Sequence, residues 1–144
     1  MNVNIGPATA EDLPAILDLL RRSKLPVAGV ERHLETALVA REGSRIVGCA
    51  AVEIHGSGGL VRSLAVELSS RGLGLGHQLT DAVIGLARAR GVRTVYLLTE
   101  SAPVFFAKLG FSNMRREDVE AAVRTSEEFT SACPADAVVM RKAL

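Results

Sequence analysis

Arg71-Gly72-Leu73-Gly74-Leu75-Gly76 is the segment of this chain whose residue types and spacing say most about chemistry. Three alternate glycines follow an arginine and open into a stretch with helical spacing. A helix N-terminus leaves backbone N–H groups unpaired and carries partial positive charge. Glycines let an anion approach those groups without meeting a Cβ, and Arg71 adds a charged donor. The ligand such a loop takes is a phosphate or pyrophosphate. It is not a Walker loop, because no Lys follows Gly76 and no Ser or Thr comes after that. It is not a dinucleotide fingerprint either: counted from Gly72 and Gly74, the last glycine position holds His77. For any one of these glycines, a flexible turn capping a helix is the alternative.

Other groups could take part in proton transfer or substrate binding. Glu53, between Val52 and Ile54, and Glu100, ending the run LLTE, are carboxylates at strand ends that could take a proton from an amine. Each reads equally well as a surface carboxylate. Arg62 shares strand parity with Leu64 and Val66, so its side chain is expected on their side of the sheet. There its planar fork could clamp an oxyanion, or it is an ordinary strand arginine. His33 and His55 read as surface or capping residues, and His77 falls in a first helical turn near the phosphate loop. The only tyrosine, Tyr96, reads as packing. Cys49 and Cys133 make neither a disulfide framework nor a zinc spacing, so no metal is expected and both read as reduced thiols.

These groups must be positioned by a chain of 144 residues that is 48% hydrophobic and 23% charged, the size and composition of one folded domain. A net charge of +1 excludes the strongly basic footprint of a nucleic-acid binder, and 3% aromatics with no Trp argue against base stacking. The first residues lack the pattern of a signal peptide, and the apolar runs are too short to span a membrane. A cytoplasmic protein is expected. Strands are predicted over 2–8, 37–41, 46–54, 60–66, 92–98, 111–115 and 137–141. Helices are predicted after the Thr9 cap, over 31–35, after Gly76 up to a Gly91 cap, over 102–109 and over 119–131. Hairpins that lead into a strand–helix–strand crossover give a mixed α/β (α+β) sandwich, one sheet flanked by helices.

Taken together, the loop, the preceding Leu64-Ala65-Val66 and the later Phe105-Phe106-Ala107-Lys108-Leu109-Gly110-Phe111 resemble the GNAT superfamily of N-acetyltransferases along essentially the whole chain. The resemblance implies residues 1–144 as a single N-acetyltransferase domain, with a mostly antiparallel mixed sheet and helices on both faces. It implies acetyl-CoA as co-substrate. Backbone groups at Leu64, Ala65 and Val66 would hold the pantetheine arm, with the Leu64 N–H polarising the thioester. Arg71, Gly72, Leu73, Gly74, Leu75, Gly76 and His77 would hold the pyrophosphate. Many members carry a tyrosine acid where this chain has Phe106. The segments 25–33, 61–67, 95–106 and 127–144 look closest to a short subgroup associated with arsenic resistance, and 96–106 is similar to amino-acid N-acetyltransferases acting on glutamate. Both imply a small amine acceptor with a nearby anionic group, on which Glu53 or Glu100 would act as base and Arg62 as substrate clamp. Many relatives are homodimers. A non-catalytic acyl-CoA sensor and a protein N-acetyltransferase are the competing readings.

Overall fold

The computed structural model describes residues 2–132 and 135–144. Seven strands form one sheet: β1 (Val3–Pro7), β2 (Ala37–Glu42), β3 (Arg45–His55), β4 (Gly58–Val66), β5 (Thr94–Thr99), β6 (Ser112–Met114) and β7 (Val138–Ala143). Their order is β1-β2-β3-β4-β5-β7-β6. Every neighbouring pair is antiparallel except β4–β5, which the helix α2 (Leu75–Ala89) joins by a crossover. The expected mixed, mostly antiparallel sheet is observed.

Helices cover both faces. The helix α1 (Leu13–Arg22) buries Ile16, Leu19 and Leu20 against Val39, Cys49 and Ala65. On the other face α2 buries Leu79, Val83 and Ala87 against Val47, Ala50, Val52 and Val61. The three α2 residues recur every four positions, which keeps one stripe on the sheet. Gly91 ends α2 in the left-handed region (φ 85°), and Val92 donates back to the Ala87 carbonyl at 3.1 Å, so β5 starts at Thr94 rather than at 92. Thr9 and Asp12 cap the chain entering α1, with the Thr9 N–H donating to Asp12 Oδ2 at 2.8 Å. The short helix α3 (Pro103–Lys108) follows β5.

The α-helix predicted over 119–131 does not form. The segment makes a 3-10 turn at Val123–Thr125 and a π turn at Glu128–Ala132. Ser126 between them is extended (ψ 144°) and its Oγ accepts the Glu128 N–H at 3.1 Å. A serine side chain that takes a backbone donor locally competes with helix continuation. The helix predicted over 31–35 is likewise a 3-10 turn, Val30–Thr36.

Candidate active site

The pairing of β4 with β5 covers only Gly58–Leu60 against Thr94–Tyr96. Beyond that point a cleft of about 890 Å³ lies between their C-terminal halves. β4 lines it from Val61 to Val66, β5 and the turn into α3 from Leu97 to Ala102. A bulge in β4 helps shape it. Cys49 pairs with Ala65, but Ala51 pairs with Arg62, so β4 carries one residue more than β3 over this stretch. Ser63 accommodates it with φ 59°, a left-handed value rare outside glycine.

The bulge overturns the expected parity. Val61, Leu64 and Val66 pack with the α2 side, whereas Leu60 and Ala65 belong to clusters on the opposite face. Arg62 joins that opposite face, where it meets Glu53. Strict alternation predicted Arg62 on the side of Leu64; an inserted residue resets the period of two.

The glycine loop stands at one end of the cleft, where Arg71, Gly72, Gly74, Leu75, Gly76 and His77 line it. Gly72 (φ 83°) and Gly74 (φ 80°) need left-handed backbone, and nothing lies within 4 Å of where a Cβ would stand on either. α2 begins at Leu75, one residue before Gly76, with Gly74 as its N-cap. The first intrahelical donor is Gln78, bonded to Gly74 O at 3.0 Å, which leaves the N–H groups of Leu75, Gly76 and His77 without a helical partner. A Cβ on Gly76 would come within 3.3 Å of the Phe105 ring. Arg71 donates from Nε to the Val66 carbonyl at 3.0 Å and so ties the loop to the end of β4. His77 is exposed and lies 3.1 Å from Asp81. Leu73 projects into solvent. A loop of open backbone donors beside an open cleft fits the phosphates and pantetheine arm of acetyl-CoA.

The charged candidates separate. Glu100 is exposed at the end of β5 and lines the cleft. Glu53 does not line it. It is buried, and both its oxygens are engaged: Oε2 with Arg62 Nη1 at 2.8 Å, Oε1 with His55 Nε2 at 2.9 Å and His33 Nε2 at 3.6 Å. Burial pushes the Glu53 pKa up, but hydrogen bonds from His55, Arg62 and Ser126 and the nearby His33 outweigh it and hold it below the ordinary value. Burial pushes His33 down, which favours its neutral ring. A second pocket of about 250 Å³ opens on this cluster, lined by Glu53, both histidines, Arg62 and Ser126 among others. His33 and His55, expected as surface or capping residues, are half-buried partners of Glu53.

Arg62 has no exposed side-chain surface. Its Nε donates to Ser63 Oγ at 3.0 Å, Nη1 to Glu53, and Nη2 to the Ala28 carbonyl at 2.7 Å, with Glu128 Oε2 3.5 Å from Nη2. The guanidinium expected as a substrate clamp is thus occupied by protein partners. It ties β3, the bulge, the segment after α1 and the segment before β7 together beside the cleft.

Glu128 and Ser126, both buried, were not singled out in the sequence. No spacing marks them, because the segment read as one helix folds into a 3-10 turn and a π turn, in which a single helical period does not give the face of a side chain. Phe106 is buried edge-on against Phe111 with ring centroids 5.7 Å apart. Tyr96 donates to Glu120 at 2.7 Å; burial and that partner push its pKa up to about 12, so it is a packing residue. Cys49 is buried, and Cys133 lies outside the described residues. Among the described residues no cluster of His, Cys, Asp and Glu could hold a metal, and no helix is long and apolar enough to cross a membrane.

Comparison with known proteins agrees with this architecture. The acetyltransferase (GNAT) domain family matches residues 33–113. An amino-acid acetyltransferase of Mycobacterium tuberculosis is 32% identical over 90 residues, covering 62% of this chain and 48% of that protein. One of Pseudomonas fluorescens is 32% identical over 129 residues, 82% of this chain and 29% of that protein. The chain therefore spans about half the length of these curated relatives or less. Among solved structures, N-acetylglutamate synthase from Neisseria gonorrhoeae, complexed with coenzyme A and N-acetyl-glutamate, superposes with TM-score 0.86 at 21% identity, over 100% of this chain and 35% of that one. A Mycobacterium tuberculosis protein solved in complex with CoA gives TM-score 0.83 at 24% identity, over 98% and 99% of the two chains. The structural likenesses show a shared fold; with the family matched over more than half of the sequence, the chain belongs to the GNAT acetyltransferases.

Proposed function

We propose that the chain transfers the acetyl group of acetyl-CoA to the amine of a small amino-acid-like acceptor in the cytoplasm. The observation that carries this reading is the cleft between β4 and β5, with unpaired backbone donors at one end and a buried charged cluster at the other. In this reading the N–H groups from Arg71 to His77 hold the pyrophosphate. The backbone of Leu64, Ala65 and Val66 runs along the pantetheine arm, and the Leu64 N–H polarises the thioester carbonyl. A free α-amine has a pKa of about 7.7–8.0, so part of it is neutral near pH 7.5, and a carboxylate at the cleft raises that share. Glu100 and Glu128 are the described carboxylates that line the cleft. Glu53 acts on the site through Arg62. A thiolate with a pKa near 8.5 leaves readily, so the reaction does not need a tyrosine where Phe106 stands.

The acceptor class is supported by the amino-acid acetyltransferases among the relatives. The resemblance of segments 25–33 and 127–144 to the arsenic-associated subgroup extends the class to amino acids bearing an arsenic or phosphorus oxyanion. Thiol release from acetyl-CoA, followed with a chromogenic thiol reagent across the twenty proteinogenic amino acids and their arsenic and phosphorus analogues, tests the reading. Release with a free amino acid supports it. Tight binding of acetyl-CoA without thiol release for any amine replaces it with an acyl-CoA sensor. Transfer to peptides alone replaces it with a protein acetyltransferase.

A further inference from the structure

The chain that leaves α1 forms a short strap along the cleft, lined there by Ser23, Lys24, Leu25 and Pro26. The strap is held at both ends. Arg22 Nη1 lies 2.6 Å from Glu67 Oε1, just past the end of β4, and the Ala28 carbonyl accepts from Arg62 Nη2 at 2.7 Å. Between them Leu25 and Val27 pack on the cluster that contains Ala65. The strap therefore runs beside β4 in the opposite direction. Lys24, two residues on from Arg22, lies near its Glu67 end, which leads through the 3-10 turn Leu68–Ser70 into the glycine loop.

Lys24 occupies a strained position. α1 ends in a Schellman motif: the Leu25 N–H donates to the Leu20 carbonyl at 2.9 Å and the Lys24 N–H to the Arg21 carbonyl at 3.0 Å. The motif needs left-handed backbone at Lys24, whose φ is 58°. Glycine takes this conformation freely and lysine does not. The chain places glycine at the matching position after α2 and α3, Gly91 (φ 85°) and Gly110 (φ 96°). After α1 it carries instead a lysine that the helix end does not require, and that lysine brings a charge to the cleft.

The other cations lining the cleft narrow what this charge can meet. Arg62 is engaged by protein groups, and His77 sits against Asp81. No ion pair joins Lys24 or Arg71 to a described carboxylate. Arg71 stands in the loop that opens α2, whereas Lys24 comes from α1, which covers the opposite face of the sheet. An anion that lies between β4 and β5 beside the loop thus meets a cation from each face. The pantetheine arm and the thioester are uncharged, so the anionic part of the co-substrate there is phosphate.

Building on the transferase reading above, we propose that Lys24 is a cofactor-binding residue whose ammonium pairs with a phosphate of acetyl-CoA. It does so from the α1 face, while the loop N–H groups hold the phosphates from the α2 face. A compact charge on a flexible stem suits either the pyrophosphate or the 3′-phosphate. The contact also anchors the strap, whose next two residues, Leu25 and Pro26, line the cleft.

The test is calorimetric titration of Lys24→Asn, Lys24→Gly and Lys24→Arg with acetyl-CoA and with acetyl-dephospho-CoA, beside thermal melts. Asn and Gly accept left-handed backbone, so both variants should fold with a Tm equal to or above that of the wild type. Both should bind acetyl-CoA about tenfold more weakly, the loss of one charge-assisted contact. Lys24→Arg should bind nearly as well as the wild type, because it keeps the charge. A deficit that vanishes with acetyl-dephospho-CoA assigns Lys24 to the 3′-phosphate, and one that persists assigns it to the pyrophosphate. An unchanged Kd in Lys24→Asn and Lys24→Gly overturns the proposal. So does an equal loss in Lys24→Arg, or a Tm for Lys24→Gly below the wild type, since either makes the role structural. A raised KM for the amino acid with acetyl-CoA affinity unchanged also overturns it and moves Lys24 to the acceptor. Failure of the transferase reading looks different. Wild-type protein that binds acetyl-CoA but acetylates no amine ends that reading and leaves Lys24 to be decided by the same titrations; wild-type protein that binds no acetyl-CoA removes both.

Discussion

Glu53 on β3 and Arg62 on β4 form an ion pair with almost no solvent contact, Oε2 to Nη1 at 2.8 Å and side chains 2% and 0% exposed. They are diagonal neighbours across the strands, since Arg62 pairs directly with Ala51 and Glu53 with Leu60. The pair is the centre of a larger junction, because Arg62 also holds Ala28 and Glu128 while Glu53 holds His55.

Breaking that pair should be costly. Glu53→Gln or Arg62→Met leaves a buried charge without its partner, worth about 3–5 kcal/mol. For a domain of this size that is a fall in Tm of about 6–20 °C by calorimetry. The double variant should recover little, because Glu128 loses the same guanidinium. A Tm within 2 °C or so of the wild type for Arg62→Met would show that the junction carries no stability.

Cofactor binding should depend on the glycine loop in two separable ways. Gly72→Ala and Gly74→Ala force a Cβ into left-handed backbone at about 1–2 kcal/mol each, a modest change. Gly76→Glu brings a Cβ to 3.3 Å from the Phe105 ring and adds a negative charge at the α2 N-terminus. Acetyl-CoA affinity should then fall at least tenfold, about 1.4 kcal/mol. Calorimetry on folded Gly76→Glu protein measures this, and an unchanged Kd would remove the phosphate role from the loop.

Stability should decline in two stages as pH drops. The folded pKa of His33 lies below the ordinary 6.5, so the unfolded chain binds its proton first and stability is lost as pH falls from about 6.5 towards the folded value. Glu53 and Asp12 are held below their ordinary values, Asp12 chiefly by its hydrogen bond from Arg41. Their contribution is complete above about pH 4.5 and is lost as pH falls through their folded values. Thermal melts at pH 8, 5.5 and 3.5 should show both stages, and His33→Gln should flatten the upper one. Equal melting temperatures at pH 8 and 5.5 in the wild type would contradict the His33 assignment.

The Cys49 thiol should be inert in the native protein. Burial pushes its pKa up to about 12, and its Sγ donates to the Ser63 carbonyl at 3.2 Å, beneath the bulge. In a Cys133→Ser background, a thiol reagent at pH 8 should label Cys49 only as fast as the protein unfolds. Labelling at the rate of a free thiol would contradict its burial.

Local signals determined much of this protein. Alternate glycines before a stretch of helical spacing marked a helix start, and the structure puts them at the α2 N-terminus with left-handed backbone at Gly72 and Gly74. Gly91, Thr9 and the apolar stripe of α2 set element limits for the same reason: caps and periodicity act over a few residues and are written in residue type. What only the tertiary structure decided depends on distant chain segments. Arg62 faces Glu53 rather than Leu64 because the bulge at Ser63 shifts register against β3, and alternation in one strand cannot register an inserted residue. Glu53 is a structural ion-pair partner because residues from β4, the 3-10 turn Val30–Thr36 and the end of β3 converge on it. Glu128 reaches the cleft from a segment whose sequence looked helical, because Ser126 interrupts the turn and the packing of Val123 and Phe129 under the sheet decides where the chain runs. Burial and charge compensation are properties of a packed set of side chains, and no spacing along the chain encodes them.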